Sequence, residues 1–294
     1  MITVVVCAGY TGGRVAGRLP DAVMVGRSFA GERHLDLDSD GKLLIELPAD
    51  YSVIYPVPPA SDQGGDHRLR RFLSLLPHGP ARIVYLSTTG VYGNRDGAIV
   101  DESTEPNPES GQAERRLAAE ILLQDWCVAG NSEPVILRVP GIYGPGRLGT
   151  DRIREAMPIL AEKNANPGNR IHVDDLSSCC IAALSADIPA GIYNVGDGDT
   201  RTTTWFMNEV ARQAGLPPPP TVTREEAEKT FSPMRLSFLR ESRIVDVTKM
   251  REVLGVVPKY SNPADGIAAS LAEEATARRN LSSKAGYVSS VAMP

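Results

Sequence analysis

Cysteine and histidine are scarce in this chain. Cys7, Cys127, Cys179 and Cys180 are its four cysteines, and His34, His67, His78 and His172 its four histidines. No two cysteines stand in Cys-x-x-Cys spacing and no histidines stand in ligand spacing. Buried reduced thiols are therefore expected, with neither a disulfide scaffold nor a metal site. An excess of basic charge is also missing. The net charge of -5 disfavours nucleic acid or an anionic membrane as a partner. No apolar run is long enough to span a bilayer, and no basic leader precedes the first one, so a cytoplasmic protein is expected. No internal repeat occurs. The composition, 42% hydrophobic and 23% charged, is that of an ordinary globular chain long enough for one large domain or two small ones.

What is present is an alternation of strands and helices. Ile2 to Cys7 is a continuous β-branched run, as in a parallel strand covered on both faces. Cys7-Ala8-Gly9-Tyr10-Thr11-Gly12-Gly13 follows, then a short helix over Arg14–Leu19. Strand, glycine-rich turn and helix form the context of a dinucleotide fingerprint. Gly9 lets the backbone approach a pyrophosphate and Gly12 lets the helix pack on the strand, with Tyr10 and Thr11 between them. The first glycine of the fingerprint is Cys7 here.

A second strand, Ala22–Val25, ends in Gly26-Arg27-Ser28. The acid that usually holds the ribose hydroxyls of NAD is missing at this end. Arg27 and Ser28 suit a 2′-phosphate, so NADP is preferred over NAD. His34–Asp38 reads as a third strand, with Asp36 as an acceptor for the adenine amino group or a turn cap. Tyr51–Tyr55 is a fourth strand, running into the rigid loop Pro56-Val57-Pro58-Pro59 at the strand's carboxyl edge. Helix Arg68–Leu76 and strand Ile83–Leu86 follow.

Strand five opens onto Ser87-Thr88-Thr89-Gly90-Val91-Tyr92-Gly93, then an acidic, proline-rich loop, then a helix from Gln112 to Cys127. Strand Val135–Val139 runs into Pro140-Gly141-Ile142-Tyr143-Gly144-Pro145-Gly146. Its stiff prolines and free glycines suit a backbone wall against a flat ring. Asp151–Lys163 reads as helical, Leu176–Ala186 as an apolar helix and Gly191–Gly196 as the last central strand. Beyond Asp199 the composition shifts. Four consecutive prolines end at Pro220, and Phe231–Arg243 mixes arginines with large apolar residues. That segment reads as a grip on a substrate, a homodimer contact or a lobe contact.

The expected fold is a Rossmann-type doubly wound parallel sheet with a smaller C-terminal substrate lobe. Residues 1–140 and 170–199 would form the NADP-binding domain, 141–169 and 200–270 the lobe, and 271–294 a flexible tail.

Six pieces occur in one order: Gly9-Tyr10-Thr11-Gly12, Leu86–Gly93, Arg116-Leu117-Ala118-Ala119-Glu120, Leu137–Gly146, Ile171–Leu176 and Tyr193-Asn194-Val195. Together they resemble the extended short-chain dehydrogenase/reductase family, also called the NAD-dependent epimerase/dehydratase family. The resemblance implies a cofactor site built from Gly9, Tyr10, Thr11, Gly12, Arg27, Ser28, Asp36, Val57, Ser87, Arg116 and Pro140. It also implies catalysis by a Ser/Thr hydroxyl, a tyrosine and a lysine, the last two spaced Tyr-x-x-x-Lys. Aligned on that pattern, Thr88 takes the hydroxyl position, Gln112 the tyrosine and Arg116 the lysine. A carboxamide is no acid or base and a guanidinium does not lose its proton.

The expectation is then an atypical NADP-dependent oxidoreductase acting on a small carbonyl, imine or alcohol. Tyr92 or Tyr143 would replace the lost acid, although wall packing is the commoner role for Tyr92. The alternative is a non-catalytic NADP-binding sensor or scaffold. Sugar-nucleotide members often carry an arginine where this chain has Gly168, which disfavours a sugar-nucleotide phosphate site.

Overall fold

The structure is a computed structural model and describes residues 2–7, 9–60 and 65–290. Six parallel strands form the central sheet. Four of them are β1 (Ile2–Val6), β2 (Ala22–Val25), β3 (Tyr51–Tyr55) and β4 (Arg82–Thr88). Strands Glu133–Val139 and Gly191–Asn194 complete it on the β4 side, giving the order β2-β1-β3-β4 and then these two. The chain enters at β1, steps out to β2, and crosses back over β1 to β3. Sheet direction therefore reverses between β1 and β3, which opens a crevice at the carboxyl ends of those strands.

Both faces of the sheet are buried, which explains its continuous apolar runs. Alternate residues feed two cores. Val5, Ile54, Val84 and Leu137 pack with helix Val173–Ala182, whose Cys179 and Cys180 are fully buried. Val4, Val53, Tyr85 and Ile136 pack on the other face with helices α1 (His67–Leu75) and α2 (Gly111–Gly130). The four cysteines are free thiols, and no cluster of metal-ligating side chains occurs among the described residues.

Two smaller apolar clusters lie off the sheet. One joins Tyr143, Leu148, Ile153, Phe206, Val210 and Ile267. The other joins Leu160, Ala227 and Phe231, with Leu236 and Leu239 packed on it. Short parallel pairs tie distant segments together here: Gly141–Tyr143 with Arg170–His172, and Ile159–Leu160 with Thr221–Val222.

Three segments differ from the reading of the sequence. His34–Asp38 forms one bridge, Gly26 with His34, and no strand. The Asp36 carboxylate accepts from the Asp38 N–H at 3.1 Å, turning the chain before a ladder can extend. The helix expected over Asp151–Lys163 ends at Arg154, because Ala156 is left-handed at φ 51° and Pro158 lacks the next amide hydrogen. The stretch expected as a tail from residue 271 lies within a helix that runs from Pro263 to Ser290. Leu271 packs on the first small cluster, and Glu273 pairs with Arg14 at 2.6 Å. Residues 291–294 of that expected tail lie outside the described residues, as does Ala8 of the glycine turn.

Candidate functional site

Three cavities adjoin along the carboxyl edge of the sheet. The first, ≈ 400 Å³, lies beyond β1 and β2 and is lined by Gly9, Arg27, Ser28, Asp36, Val57 and Arg68, among others. Asp38 is its charged centre. Arg68 donates two hydrogen bonds to that carboxylate, at 2.6 and 2.7 Å, and Arg27 approaches it at 3.4 Å. The Arg68 hydrogen bond holds the Asp38 carboxyl below its usual range. Arg68 thus neutralises Asp38, and the side chain of Arg27 is left 68% exposed at the rim. Of the two roles expected for Asp36, the turn cap is present, and the residue also lines the cavity.

The second cavity, ≈ 360 Å³, shares Cys7, Gly9 and Pro58 with the first and adds Tyr10, Thr11, Gly12, Ser87, Gln112, Arg116 and Arg147. Gly12 lies so close to β1 that a Cβ there would stand 2.2 Å from the Cys7 carbonyl oxygen. Cys7 itself adopts φ 76°, the left-handed conformation for which a glycine is the relaxed choice. Cys7 therefore takes a conformation that suits the glycine it replaces in the fingerprint. Arg147 sits 4.1 Å above the Tyr10 ring, and the Tyr10 hydroxyl is buried without a partner. Burial raises that hydroxyl to about 12, so it stays a neutral donor. Close-packed glycine backbone, an unpaired donor and two arginines fit a pyrophosphate and ribose.

Arg116 closes this cavity on the β4 side. Its guanidinium donates to the Leu86 carbonyl at 2.7 Å, the Tyr85 hydroxyl at 3.1 Å and the Val57 carbonyl at 3.2 Å. It clamps the ends of β3 and β4 together beside the cofactor path. Ser87 lines the same cavity, but its hydroxyl donates to the Glu120 carboxylate. That carboxylate is also held by Arg138 at 2.8 Å, and both charged side chains are almost fully buried.

The third cavity, ≈ 340 Å³, shares Gln112 with the second. Thr88, Ser110, Gln112, Pro140, Asn169, Glu241 and Arg243 line it, among others. Thr88 caps the short helix after β4 by accepting from the Gly90 N–H at 3.1 Å, which leaves its hydroxyl hydrogen available. Glu241 and Arg243 form an ion pair at 2.7 Å, and the Arg243 Nε is buried without a partner. Both lie in the segment Phe231–Arg243, expected as a substrate grip or a dimer or lobe contact, but neither was expected individually as a site residue. They reach the cavity because Asn169 and Asn166 bind the backbone of this segment, Asn169 donating to the Arg243 carbonyl at 2.9 Å. No local pattern marks such a contact.

The two tyrosines expected as replacement acids line neither the second nor the third cavity. Tyr92 is fully buried, donates to the Asn194 side chain at 2.8 Å and lies under Arg138. Tyr143 sits in the first small cluster, edge-on to His172 and Phe206. Burial pushes its hydroxyl far above the usual tyrosine range. The remaining predicted site residues do line the three cavities: Gly9, Tyr10, Thr11, Gly12, Arg27, Ser28, Asp36, Val57, Ser87, Thr88, Gln112, Arg116 and Pro140.

Next to this edge Asp197 is buried, with one carboxylate oxygen unpartnered, and burial raises it to about 7. An unfolded aspartate ionises near 3.9. The stability this group contributes is therefore full below that value and lost as the pH rises toward 7. Asp197→Asn is expected to raise the melting temperature more at pH 8 than at pH 4. Equal shifts at the two pH values would refute the assignment. His172 acts in the opposite sense, since burial lowers it to about 4 and its contribution is lost as the pH falls from near 6.5 toward 4.

Residues 69–196 match the model of the NAD-dependent epimerase/dehydratase family. Over that stretch, somewhat under half of its length, the chain is similar to that family. An uncharacterized protein, y4nG, of Sinorhizobium fredii is 28% identical over 203 residues, 63% of this chain and 51% of its own length. The chain thus spans about half the length of that curated relative. A functionally unknown conserved protein from Silicibacter pomeroyi has a similar structure, with a TM-score of 0.74, 26% identity and coverage of 92% of this chain and 98% of its own. MoeE5, solved in complex with UDP-glucose and NAD, has a TM-score of 0.72 at 21% identity and covers 96% of this chain and 100% of its own. At that identity the likeness shows the fold alone, a Rossmann-like arrangement.

Proposed function

We propose that this protein is an NAD(P)-dependent oxidoreductase, with NADP preferred, that acts on a small alcohol or carbonyl compound. The observation that carries this reading is the row of three adjoining cavities. Arg27 stands at one end, the Gly9–Gly12 turn in the middle, and Thr88 with Glu241 at the other end. When bound there, the nicotinamide supplies or accepts a hydride. The protein's part is to hold the reacting oxygen and to move a proton. Thr88 donates to that oxygen and Gln112 can hold it from the side, as the carboxamide has both donor and acceptor. The unpartnered Arg243 Nε offers a further donor to the substrate. Among the side chains lining the cavity, Glu241 carries the one carboxyl, a residue type that serves as a general acid or base. Glu241 therefore takes the role that Gln112 has lost.

NADP preference rests on Arg27. A 2′-phosphate beside it meets one exposed guanidinium, the Ser28 hydroxyl and an Asp38 already neutralised by Arg68. Arg27→Ala is expected to weaken NADPH binding about tenfold, the loss of one charge-assisted contact, and to leave NADH binding unchanged. Titration with both cofactors reads this directly.

Hydride transfer is tested by NADPH oxidation and NADP reduction with a panel of carbonyls and alcohols. Thr88→Val and Glu241→Gln are each expected to lower turnover about a hundredfold, within the range of general acid–base contributions. Tight NADPH binding with no turnover on the panel would favour the sensor reading instead. The observation behind that alternative is Gln112 at the tyrosine position, with no tyrosine lining the third cavity.

A further inference from the structure

A fourth cavity lies inside the lobe, ≈ 310 Å³, near the lower end of the volume range of small-molecule sites. It shares Pro167, Thr203 and Glu241 with the cavity that holds Thr88 and Gln112. Met157, Leu160, Met207, Phe231 and Leu239 line it. The polar groups of its wall are largely occupied by the protein. Thr204 donates to the Leu160 carbonyl at 2.8 Å. The Asn166 amide donates to the carbonyls of Leu239 and Glu241 and accepts from Arg224. The surface offered to a ligand is therefore apolar.

Two cations break this pattern. Arg235 stacks 3.5 Å above the Phe231 ring and donates to the Pro158 carbonyl. Arg152 stands on the helix Thr150–Arg154, exposed to solvent. Neither has a carboxylate partner among the described residues, and Glu241 is already engaged by Arg243. Burial, and then the charge of Arg152, hold the Arg235 guanidinium below its usual range, as expected for two like charges with no anion between them. A guanidinium pair beside an apolar cavity is complementary to an anion on an apolar body.

We propose that this cavity binds the substrate as an amphipathic anion, a carboxylate or phosphate seated on Arg152 and Arg235 with its apolar body inside. The inference deepens the function proposed above. It rests on that reading only for what happens next door, where the cavity meets Thr88. A nucleotide is disfavoured, because the edges of a base need polar partners that this wall has already used.

The test is direct binding to the full chain by calorimetry, with octanoate, octyl phosphate, octanol and UDP as probes. Octanoate or octyl phosphate is expected to bind at least about tenfold tighter than octanol, the value of one charge-assisted contact. The preferred head group distinguishes a carboxylate from a phosphate substrate. Arg152→Gln is expected to remove most of that preference. Ala165→Trp, which fills the cavity, is expected to abolish binding of all the octyl probes. Arg235→Gln is a weaker test, since Arg235 also ties the lobe together. Equal binding of octanoate, octyl phosphate and octanol would overturn the proposal, as would no binding of either anion, or tighter binding of UDP. NADPH titration of the same proteins separates the two readings. In the unsubstituted protein, absent octanoate and octyl phosphate binding beside intact NADPH binding sinks this inference alone, and the reverse sinks the cofactor reading alone.

Discussion

Arg138→Met is expected to be the most destabilising single change near the site. The Arg138 and Glu120 side chains are 2% and 1% exposed, and the guanidinium holds the carboxylate through both Nε and Nη2. The same guanidinium lies 4.8 Å above the Tyr92 ring, and Tyr92 donates to Asn194 at 2.8 Å. Removing the arginine leaves a buried carboxylate with the Ser87 hydroxyl as its side-chain partner. Breaking one half of a buried pair costs about 3–5 kcal/mol, because the stranded charge has been stripped of water. For a chain of this size that lowers the melting temperature by roughly 10 °C. The double variant Glu120→Leu/Arg138→Met removes both charges together and is expected to recover most of the loss, since apolar packing can replace such a pair. Thermal unfolding of the three proteins checks this. A single variant within about 1 kcal/mol of the parent would show that the pair is not the closed unit described. The functional consequence follows from position, since Ser87 is the next-to-last residue of β4, lines the second cavity and precedes Thr88 of the third. Loosening Glu120 is expected to weaken cofactor binding as well as the fold.

Gly12→Ala is expected to have the second-largest effect, and its loss falls on cofactor binding. The added Cβ would meet the Cys7 carbonyl oxygen at 2.2 Å and the Pro56 Cγ at 3.4 Å. The first of these is backbone, so the turn itself must move. Overpacking of this kind costs about 1–3 kcal/mol. The displaced atoms are those of the Cys7–Gly12 turn, which lines both the first and the second cavity. A weakening of NADPH binding by roughly ten- to a hundredfold is expected, at about 1.4 kcal/mol per factor of ten. Gly9→Ala is the informative control. A Cβ there meets only the Cys7 Sγ at 3.8 Å, an ordinary contact, so the protein is expected to fold unchanged. If the pyrophosphate passes close to Gly9, binding still falls. Unimpaired NADPH binding in both variants would remove the dinucleotide from this turn.

Much of the sheet edge that lines the first two cavities was legible in the chain because its signals are local. A strand buried on both faces writes a β-branched run wherever it occurs, and Ile2–Val6, Tyr51–Tyr55 and Arg82–Thr88 are such runs. A turn passing close beneath a helix needs a residue without a Cβ, and Gly12 supplies it. The end of β2 is set by register, so Arg27 and Ser28 had to lie at its carboxyl edge. The placement of these residues was readable because each depends on residues a few positions apart.

Only the tertiary structure decided which side chains meet at the reacting end. Tyr92 lies on the expected loop, yet it turns into the core because Asn194, 102 positions away, accepts its hydroxyl. Tyr143 follows the expected proline wall, yet it is drawn into a cluster with Phe206 and Ile267 from distant helices. Glu241 and Arg243 carry no motif and reach the cavity because Asn166 and Asn169 bind the backbone of their segment. The sequence by itself determined the sheet, the glycine turn and the cation at the end of β2, because strand alternation and turn sterics act over a few residues. That Glu241 and Arg243, and not Tyr92 or Tyr143, line the cavity with Thr88 was left to folding, because side-chain direction follows from packing between segments that lie far apart in the chain.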